Sequence, residues 1–202
     1  MSTMMANIPP WFIPLLIILV SVLALTVILE RGWLLMRRID LLNVPDERQL
    51  LEYLRKRKFD DAAAFCRLQN HPAYKVVLSV IESRKSNIHI KSIAEEESMR
   101  QIAFLEKYLP TLGTISTIAP LLGLLGTVTG MIKSFRAFEQ SAGRNTQLMG
   151  GIDEALITTA LGLIVAIPSL IMYNYYIRRV NTFAEETSVL TQMVLQELSP
   201  KK

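Results

Sequence analysis

The sequence is poor in the residues that build disulfides, metal sites and soluble active sites. Its single cysteine, Cys66, excludes an internal disulfide framework and is expected to be a buried helical residue. His71 and His89 have no further ligand at a metal-binding spacing, so a capping or solvated role is expected for both. The chain contains no Walker loop and no HExxH, CxxC or GxSxG motif. We therefore predict no enzymatic activity, no metal ion and no bound cofactor.

Charged residues are missing from three long apolar runs, at residues 8–29, 112–132 and 155–173. About 20 apolar residues suffice for an α-helix to cross roughly 30 Å of hydrocarbon. We therefore predict an all-α integral membrane protein with three transmembrane helices, of which the second and third are long and extend into the cytoplasm. The formal net charge of +4 is modest, and no motif concentrates it, so nucleic acid is not an expected partner.

The placement of the basic residues predicts the topology. No charged side chain precedes the first run, whereas Arg31, Arg37 and Arg38 follow it, and residues 37–108 hold 14 Lys and Arg. Trp11 and Trp33 bracket the run as interfacial anchors do. By the positive-inside rule, the N-terminus is then periplasmic and the C-terminus cytoplasmic.

The predicted domains follow from this topology and from the apolar runs. They are a periplasmic N-terminus with transmembrane helix 1 (1–36), a cytoplasmic helical domain (37–108), transmembrane helix 2 (109–135), a short periplasmic loop (136–151), transmembrane helix 3 (152–177) and a cytoplasmic C-terminal helix (178–202).

Within the cytoplasmic domain, the apolar spacing predicts short helices at residues 46–58, 59–68 and 73–84, with a break at His71–Pro72. Ser92 and Glu95 have the spacing of a capping box and predict a helix start. Nothing between Ser92 and Pro110 predicts an end, so this helix is expected to continue unbroken into the second span. After the third span, the helical spacing of apolar residues predicts one continuous helix to about Leu198.

Small and hydroxyl residues form a stripe on one face of the second and third runs. The steps of three and four between them place them on one helical face. In lipid, such faces let helices approach closely. The stripe of the second run is Ser116, Pro120, Gly123, Thr127, Gly130 and Ser134, with Gly126 completing a GxxxG pair, and that of the third is Ala155, Thr159, Gly162, Ala166 and Ser169.

The stripes allow two interpretations. They either serve helix packing alone or line a pore to which Thr127 supplies a hydroxyl, and both hold if a ring of helices encloses another helix. The runs contain no Asp, Lys or Arg, although a proton relay needs a titratable group within the membrane. A proton pathway would therefore take its central group from a partner, with Thr127 and Thr159 around it. Glu154 would attract protons at the entrance, or be a headgroup-level carboxylate stabilised by a helix N-terminus.

Two segments carry a family resemblance. The sequence LLGLLGTVTGMIKSF, followed by GGIDEALITTALGLIVAIPSLIMYNYY, resembles the MotA/TolQ/ExbB proton channel family, and the DDAAAFCRL stretch is also similar to its ExbB/TolQ branch. The likeness extends over nearly the whole chain. It implies that Thr127 and Thr159 are the pore threonines and that Glu154 is the family's glutamate. Thr158 stands where the family usually has a small apolar residue, and it is a candidate second hydroxyl.

The resemblance also implies a function and partners. The implied function is that of a subunit of a proton-driven motor in the bacterial inner membrane, with protons as the coupling ion. Five copies of the chain would form a ring around two copies of an ExbD/TolR-type single-span protein. A TonB/TolA-type energy transducer is a further candidate partner, beside membrane lipids. The alternatives are a passive membrane scaffold or a flagellar or gliding-type stator subunit; a small secondary transporter lacks the expected inverted repeat.

Overall fold

The computed structural model describes residue 9 and residues 11–38, 47–84, 90–140 and 145–198, and there the chain is all-α, as predicted. His89 lies outside the described residues, as do residues 1–8 and the side chains of Arg37 and Arg38. The helices are α1 (Phe12–Arg38), α2 (Glu47–Arg55), α3 (Phe59–Leu68), α4 (Pro72–Ser83), α5 (Ile90–Glu106), α6 (Leu109–Gln140) and α7 (Asn145–Leu198).

Three of these helices are long and apolar enough to cross a membrane, which confirms the predicted number of spans. They comprise Phe12–Met36, Leu109–Phe138 and Gly151–Leu198. Large apolar side chains on them face outward, for example Leu25, Leu156 and Ile164, which are 57%, 60% and 66% exposed. Such exposure is costly in water, whereas hydrocarbon tails solvate the same side chains well.

The first compact unit consists of the described parts of Met1–Glu30 and Tyr108–Asn174. It contains the beginning of α1, the whole of α6 and the first part of α7. Within this unit, the two glycines Gly123 and Gly162 bring the backbones of α6 and α7 into contact. This unit holds the stripes singled out from the sequence.

The second unit consists of the described parts of Arg31–Lys107 and Tyr175–Lys202. Its core is made of larger side chains from α2, α4 and the end of α7, including Leu54, Tyr74 and Phe183, each at most 1% exposed. His71 caps α4, since its Nδ1 accepts a hydrogen bond from the backbone N–H of Ala73 at 3.3 Å. The capping role expected for this histidine is confirmed.

The short helices of this unit lie near the predicted places, although α2 ends at Arg55 and not at residue 58 as predicted. The turn between α2 and α3 is a Schellman motif, because the Lys58 N–H donates to the Tyr53 carbonyl at 2.9 Å and the Arg57 N–H donates to the Leu54 carbonyl at 3.0 Å. Arg57 takes the left-handed position, with φ 54°, that glycine usually occupies. The chain thus reverses within three residues and places α3 beside α2.

Two predictions about the ends of α5 were wrong. α5 begins at Ile90, so Ser92 lies inside the helix; the earlier start adds the half-buried Ile90 to the face that carries buried Ala94. The helix then ends at Glu106 instead of continuing into the second span, and Tyr108 has a φ of 70°. Pro110 explains the break, because its ring would clash with the carbonyl of Glu106 in an unbroken helix, whereas the first turn of α6 tolerates it.

The connection between the second and third spans is shorter than predicted. α6 continues to Gln140 and α7 begins at Asn145, so most of residues 136–151 are helical. No Gly or Pro stands between Lys133 and Gln140. A helix without a breaker keeps its backbone hydrogen bonds past the end of its apolar run.

Candidate functional site

α6 and α7 touch backbone to backbone at two glycines. A Cβ placed on Gly123 would lie 2.9 Å from the Cα of Thr159, and one on Gly162 would lie 2.6 Å from the carbonyl oxygen of Ala119. No larger residue fits at either position without a shift of the helices. The small stripes therefore meet each other within one chain.

The two threonines singled out from the sequence are linked to this contact. The Thr159 hydroxyl donates to the Gly123 carbonyl at 3.0 Å, between the two helices. In an α-helix, the same carbonyl is the acceptor for the backbone N–H of Thr127. The Thr127 hydroxyl donates to the next carbonyl, that of Leu124, at 2.7 Å. Both hydroxyls are thus bound to consecutive carbonyls on one turn of α6, and both threonines are half-buried.

Thr158 is the more buried neighbour of Thr159. It is 5% exposed, and its hydroxyl donates to the Ala155 carbonyl at 2.7 Å. A Cβ on Gly126 would overlap this hydroxyl. The GxxxG pair continues the contact, since a Cβ on Gly130 would lie 2.8 Å from that of Ala155. Gly126 thereby provides the room that the Thr158 hydroxyl occupies.

A cavity of about 190 Å³ opens beside this contact, within the first unit. The residues around Pro14 close it on the α1 side, and α6 and α7 supply its polar groups. Those groups come from Thr129, Lys133, Ser134, Glu154 and Thr158. The cavity therefore combines a carboxylate, an ammonium group and three hydroxyls near the end of an apolar helix pair.

The structure thus separates the predicted pathway residues into two sets. Glu154 and Thr158 line the cavity, whereas Thr127 and Thr159 are not part of its lining and lie at the helix contact. Glu154 is exposed, and α7 begins at Asn145, more than two turns earlier. The effect of the helix dipole fades beyond the first turn. Stabilisation of Glu154 by a helix N-terminus, one of the two expectations for this residue, was therefore wrong.

Thr129 and Lys133 are cavity residues that the sequence reasoning did not single out. Thr129 is buried and its hydroxyl donates to the Leu125 and Gly126 carbonyls at 2.9 and 3.1 Å. It lies three residues after Gly126 and therefore shares its face. The three-residue spacing from Gly126 to Thr129 is the signal in the sequence that places Thr129 beside the glycine contact. The remaining stripe residues are buried (Ser116, Ser134, Ala155, Ala166, Ser169) or half-buried (Pro120, Gly130).

Outside this unit, Cys66 is buried, and burial raises the pKa of its thiol to about 12. Among the described residues, no group of three or more His, Cys, Asp and Glu side chains is arranged to hold a metal ion.

A comparison with known families identifies the family of the chain. The model of the MotA/TolQ/ExbB proton channel family matches residues 60–188, which include α6, the cavity residues of α7 and both threonines. The chain belongs to this family. It is accordingly a membrane protein of a proton channel family, and α6 and α7 are the two spans within the matched segment.

Individual members of the MotA/TolQ/ExbB family are similar over much of the chain. An ExbB-like biopolymer transport protein of Synechocystis is 32% identical over 167 residues, 78% of this chain and 64% of the relative. ExbB of Aquifex aeolicus is 40% identical over 104 residues, 51% of this chain and 66% of the relative. TolQ of the Pseudomonas aeruginosa Tol-Pal system is 39% identical over 131 residues, 60% of this chain and 53% of the relative. The aligned parts thus cover 53–66% of these relatives' lengths.

Proposed function

We propose that this chain is the channel subunit of an ExbB/TolQ-type motor in the bacterial inner membrane. Five copies form a ring around two copies of an ExbD/TolR-type single-span protein, and protons are the coupling ion. The motor transmits the proton motive force to outer-membrane transport or to work on the cell envelope. A TonB/TolA-type transducer is a further candidate partner. The chain itself acts as a channel component rather than as an enzyme.

The observation that carries this proposal is that two threonine hydroxyls, from Thr127 of α6 and Thr159 of α7, donate to carbonyls on one turn of α6. Each hydroxyl uses its proton to bind a carbonyl, Leu124 for Thr127 and Gly123 for Thr159. Each oxygen then keeps acceptor capacity for a proton donor, such as water or a protonated carboxyl group. Two such oxygens beside a glycine contact would solvate a partner's titratable side chain in an otherwise apolar helix pair.

The proton-carrying group would come from the partner. The apolar runs at residues 8–29, 112–132 and 155–173 contain no Asp, Glu, Lys or Arg. A charged proton carrier within the membrane is expensive and needs polar neighbours. The threonines would supply these neighbours, and the cavity with Glu154 and Lys133 would supply a polar entrance.

The available energy is adequate for mechanical work. One elementary charge that crosses 100 mV releases about 2.3 kcal/mol. The energy that a few protons release per step is therefore severalfold larger than the thermal energy.

The outward-facing apolar side chains of the first unit, such as Leu124 and Leu163, provide a surface for neighbouring subunits as well as for lipid.

The proposed orientation has a periplasmic N-terminus and a cytoplasmic C-terminus. The basic residues after the first span support it, because cytoplasmic segments near span ends carry an excess of Lys and Arg. In this orientation the cavity with Glu154 lies on the periplasmic side, where the proton concentration is higher during work.

A passive scaffold is the competing function, because every threonine hydroxyl at the contact already has a carbonyl partner. Native mass spectrometry of the detergent-purified chain, alone and co-expressed with a candidate single-span partner, separates the two. The motor predicts five copies, which gain two partner chains on co-expression. A monomer or dimer that binds no ExbD/TolR-type protein from the same genome would contradict the motor function and favour the scaffold.

A further inference from the structure

The second unit contains a cavity of about 750 Å³ that the proton pathway does not use. Trp33 and Leu34 of α1 line one side of it. The other side is the junction between α3 and α4, from Cys66 to Leu78. This cavity is about four times larger than that beside Glu154, and it lies wholly within the second unit.

The position of Trp33 fixes the depth of this cavity in the membrane. Trp33 and Leu34 belong to the last turn of the first candidate span, Phe12–Met36. The Trp33 side chain is 66% exposed. Exposed tryptophans at span ends sit at the level of the lipid headgroups, where one edge of the ring is apolar and the other is wet. The α3–α4 junction beside it therefore lies at headgroup level too.

The polar lining of this cavity favours an anion. Arg67 and Lys75 bring two positive charges, and Gln69 and Asn70 bring amide groups. Arg67 forms an ion pair with Glu82, whose carboxylate lies 2.7 Å from the guanidinium. Lys75 is exposed, and no described residue forms an ion pair or hydrogen bond with its ammonium group. One positive charge is thus left uncompensated.

The position of Lys75 in α4 makes that charge unusual. α4 begins at Pro72, so Lys75 lies in its first turn. The N-terminal end of a helix carries a partial positive charge, which disfavours a cation and favours an anion there. An anion bound at this junction would be stabilised by the lysine and by the helix end together, and would relieve the repulsion between them.

We propose that this cavity binds the headgroup of an anionic membrane phospholipid. Lys75 contacts the phosphate, the amides of Gln69 and Asn70 donate hydrogen bonds to the headgroup, and Trp33 packs along the glycerol backbone and the upper acyl chain. The excess positive charge favours a net anionic headgroup, such as phosphatidylglycerol, over a zwitterionic one. The proposal requires only that α1 spans the membrane, and it is independent of the pentamer, the partner and the proton pathway.

The two tryptophans of the chain allow a direct test. The variant Trp11→Phe leaves Trp33 as the only fluorophore of its kind, and bromine on the upper acyl chain quenches tryptophan on contact. The full chain is reconstituted in phosphatidylcholine bilayers that contain a minor fraction of either brominated phosphatidylglycerol or brominated phosphatidylcholine. We expect the anionic lipid to be enriched about fivefold at Trp33, which is the usual effect of one lysine at an anionic surface.

Matched variants locate the selectivity. Lys75→Gln should make the two brominated lipids quench equally, whereas Lys75→Arg should keep the preference. Lys91→Gln is the control, since Lys91 is also an exposed lysine of the second unit and lies outside this cavity. Circular dichroism of each variant verifies the fold.

Three results would overturn the proposal. The first is equal quenching by both lipids in the parent protein, and the second is an equal loss of preference in Lys91→Gln, which would indicate general surface charge. The third is relief of quenching by excess soluble inorganic phosphate, which would indicate a small-anion site instead of a lipid site.

Discussion

The hydroxyl of Thr159 lies 3.0 Å from the carbonyl oxygen of Gly123 and donates a hydrogen bond to it. This is a contact between two spans, made at the point where their backbones touch. Because the backbone N–H of Thr127 uses the same acceptor, the Gly123 carbonyl joins both threonines. A change at either side chain therefore acts on the same turn of α6. The change at Thr159 acts through a bond between helices, and the change at Thr127 acts through a bond within α6.

Replacement of Thr159 by valine should weaken the helix pair slightly and abolish proton-coupled function. Valine has nearly the same shape but no donor, so the Gly123 carbonyl loses one partner at a cost of roughly 0.5–1.5 kcal/mol. Proton flux into liposomes that contain the chain and its partner measures the function. Thr159→Ser keeps the donor and should retain most of the flux.

Replacement of Thr127 by valine should abolish proton flux with almost no effect on stability. The Thr127 hydroxyl bonds to Leu124 of its own helix, so its removal breaks no contact between helices. The pair of variants thus separates an effect on packing, expected for Thr159→Val alone, from an effect on conduction, expected for both. Wild-type proton flux in both valine variants would contradict the pore role of these side chains.

Replacement of Gly162 by alanine should separate α6 from α7. The added methyl group would lie 2.6 Å from the Ala119 carbonyl oxygen, and forced overpacking costs about 1–3 kcal/mol. Gly113→Ala is the control in the same helix pair, since its methyl group would meet only the Tyr173 ring at 3.1 Å, which can move aside. Thermal unfolding in detergent should therefore show a lower midpoint for Gly162→Ala alone, and equal midpoints would contradict the backbone contact.

Glu154→Gln should reduce proton-coupled function more than Asp153→Asn. Both carboxylates are exposed near the beginning of the third apolar run, but only Glu154 lines the cavity with Lys133 and Thr158. The paired variants remove the same charge one residue apart. An equal loss of flux would mean that the two carboxylates act through general surface charge, and unchanged flux in Glu154→Gln would assign it a headgroup-level role.

Cys66 should be unreactive toward maleimide in the folded protein at pH 8. Burial raises the pKa of its thiol to about 12, so the thiol stays protonated and only about one molecule in 10⁴ carries the nucleophilic thiolate. An ordinary cysteine, with a pKa of about 8.5, is roughly two thousandfold richer in thiolate at this pH. Mass spectrometry of the modified protein, before and after denaturation, checks this; rapid labelling of the native state would show that the thiol is accessible and ionised.

Much of the fold follows from local sequence chemistry. Uncharged runs predict spans because hydrocarbon excludes charge, and the helix spacing of small residues predicts which faces of α6 and α7 contain Gly123 and Gly162. His71 was predictable as a cap because a proline follows it. In each case the cause lies within a few residues of its effect.

The rest depends on groups that are distant in sequence. The cavity joins Pro14, Lys133 and Glu154 from three helices, and no periodicity within one helix indicates which side chains share a space. The break at Tyr108 is different, because its cause is local: the ring of Pro110 would clash with the Glu106 carbonyl in an unbroken helix. Positive φ at a tyrosine is rare enough that local propensity argues against it.

The contact between Gly123 and Gly162 also bears on biosynthesis. α6 and α7 are neighbours in the sequence, and the contact joins residues only about 40 positions apart. In a bilayer, helices insert individually before they associate, and close neighbours in the chain find each other with the smallest loss of entropy. α6 and α7 are therefore expected to associate first, as a hairpin. α1 is synthesised earlier but is expected to pack onto this hairpin last.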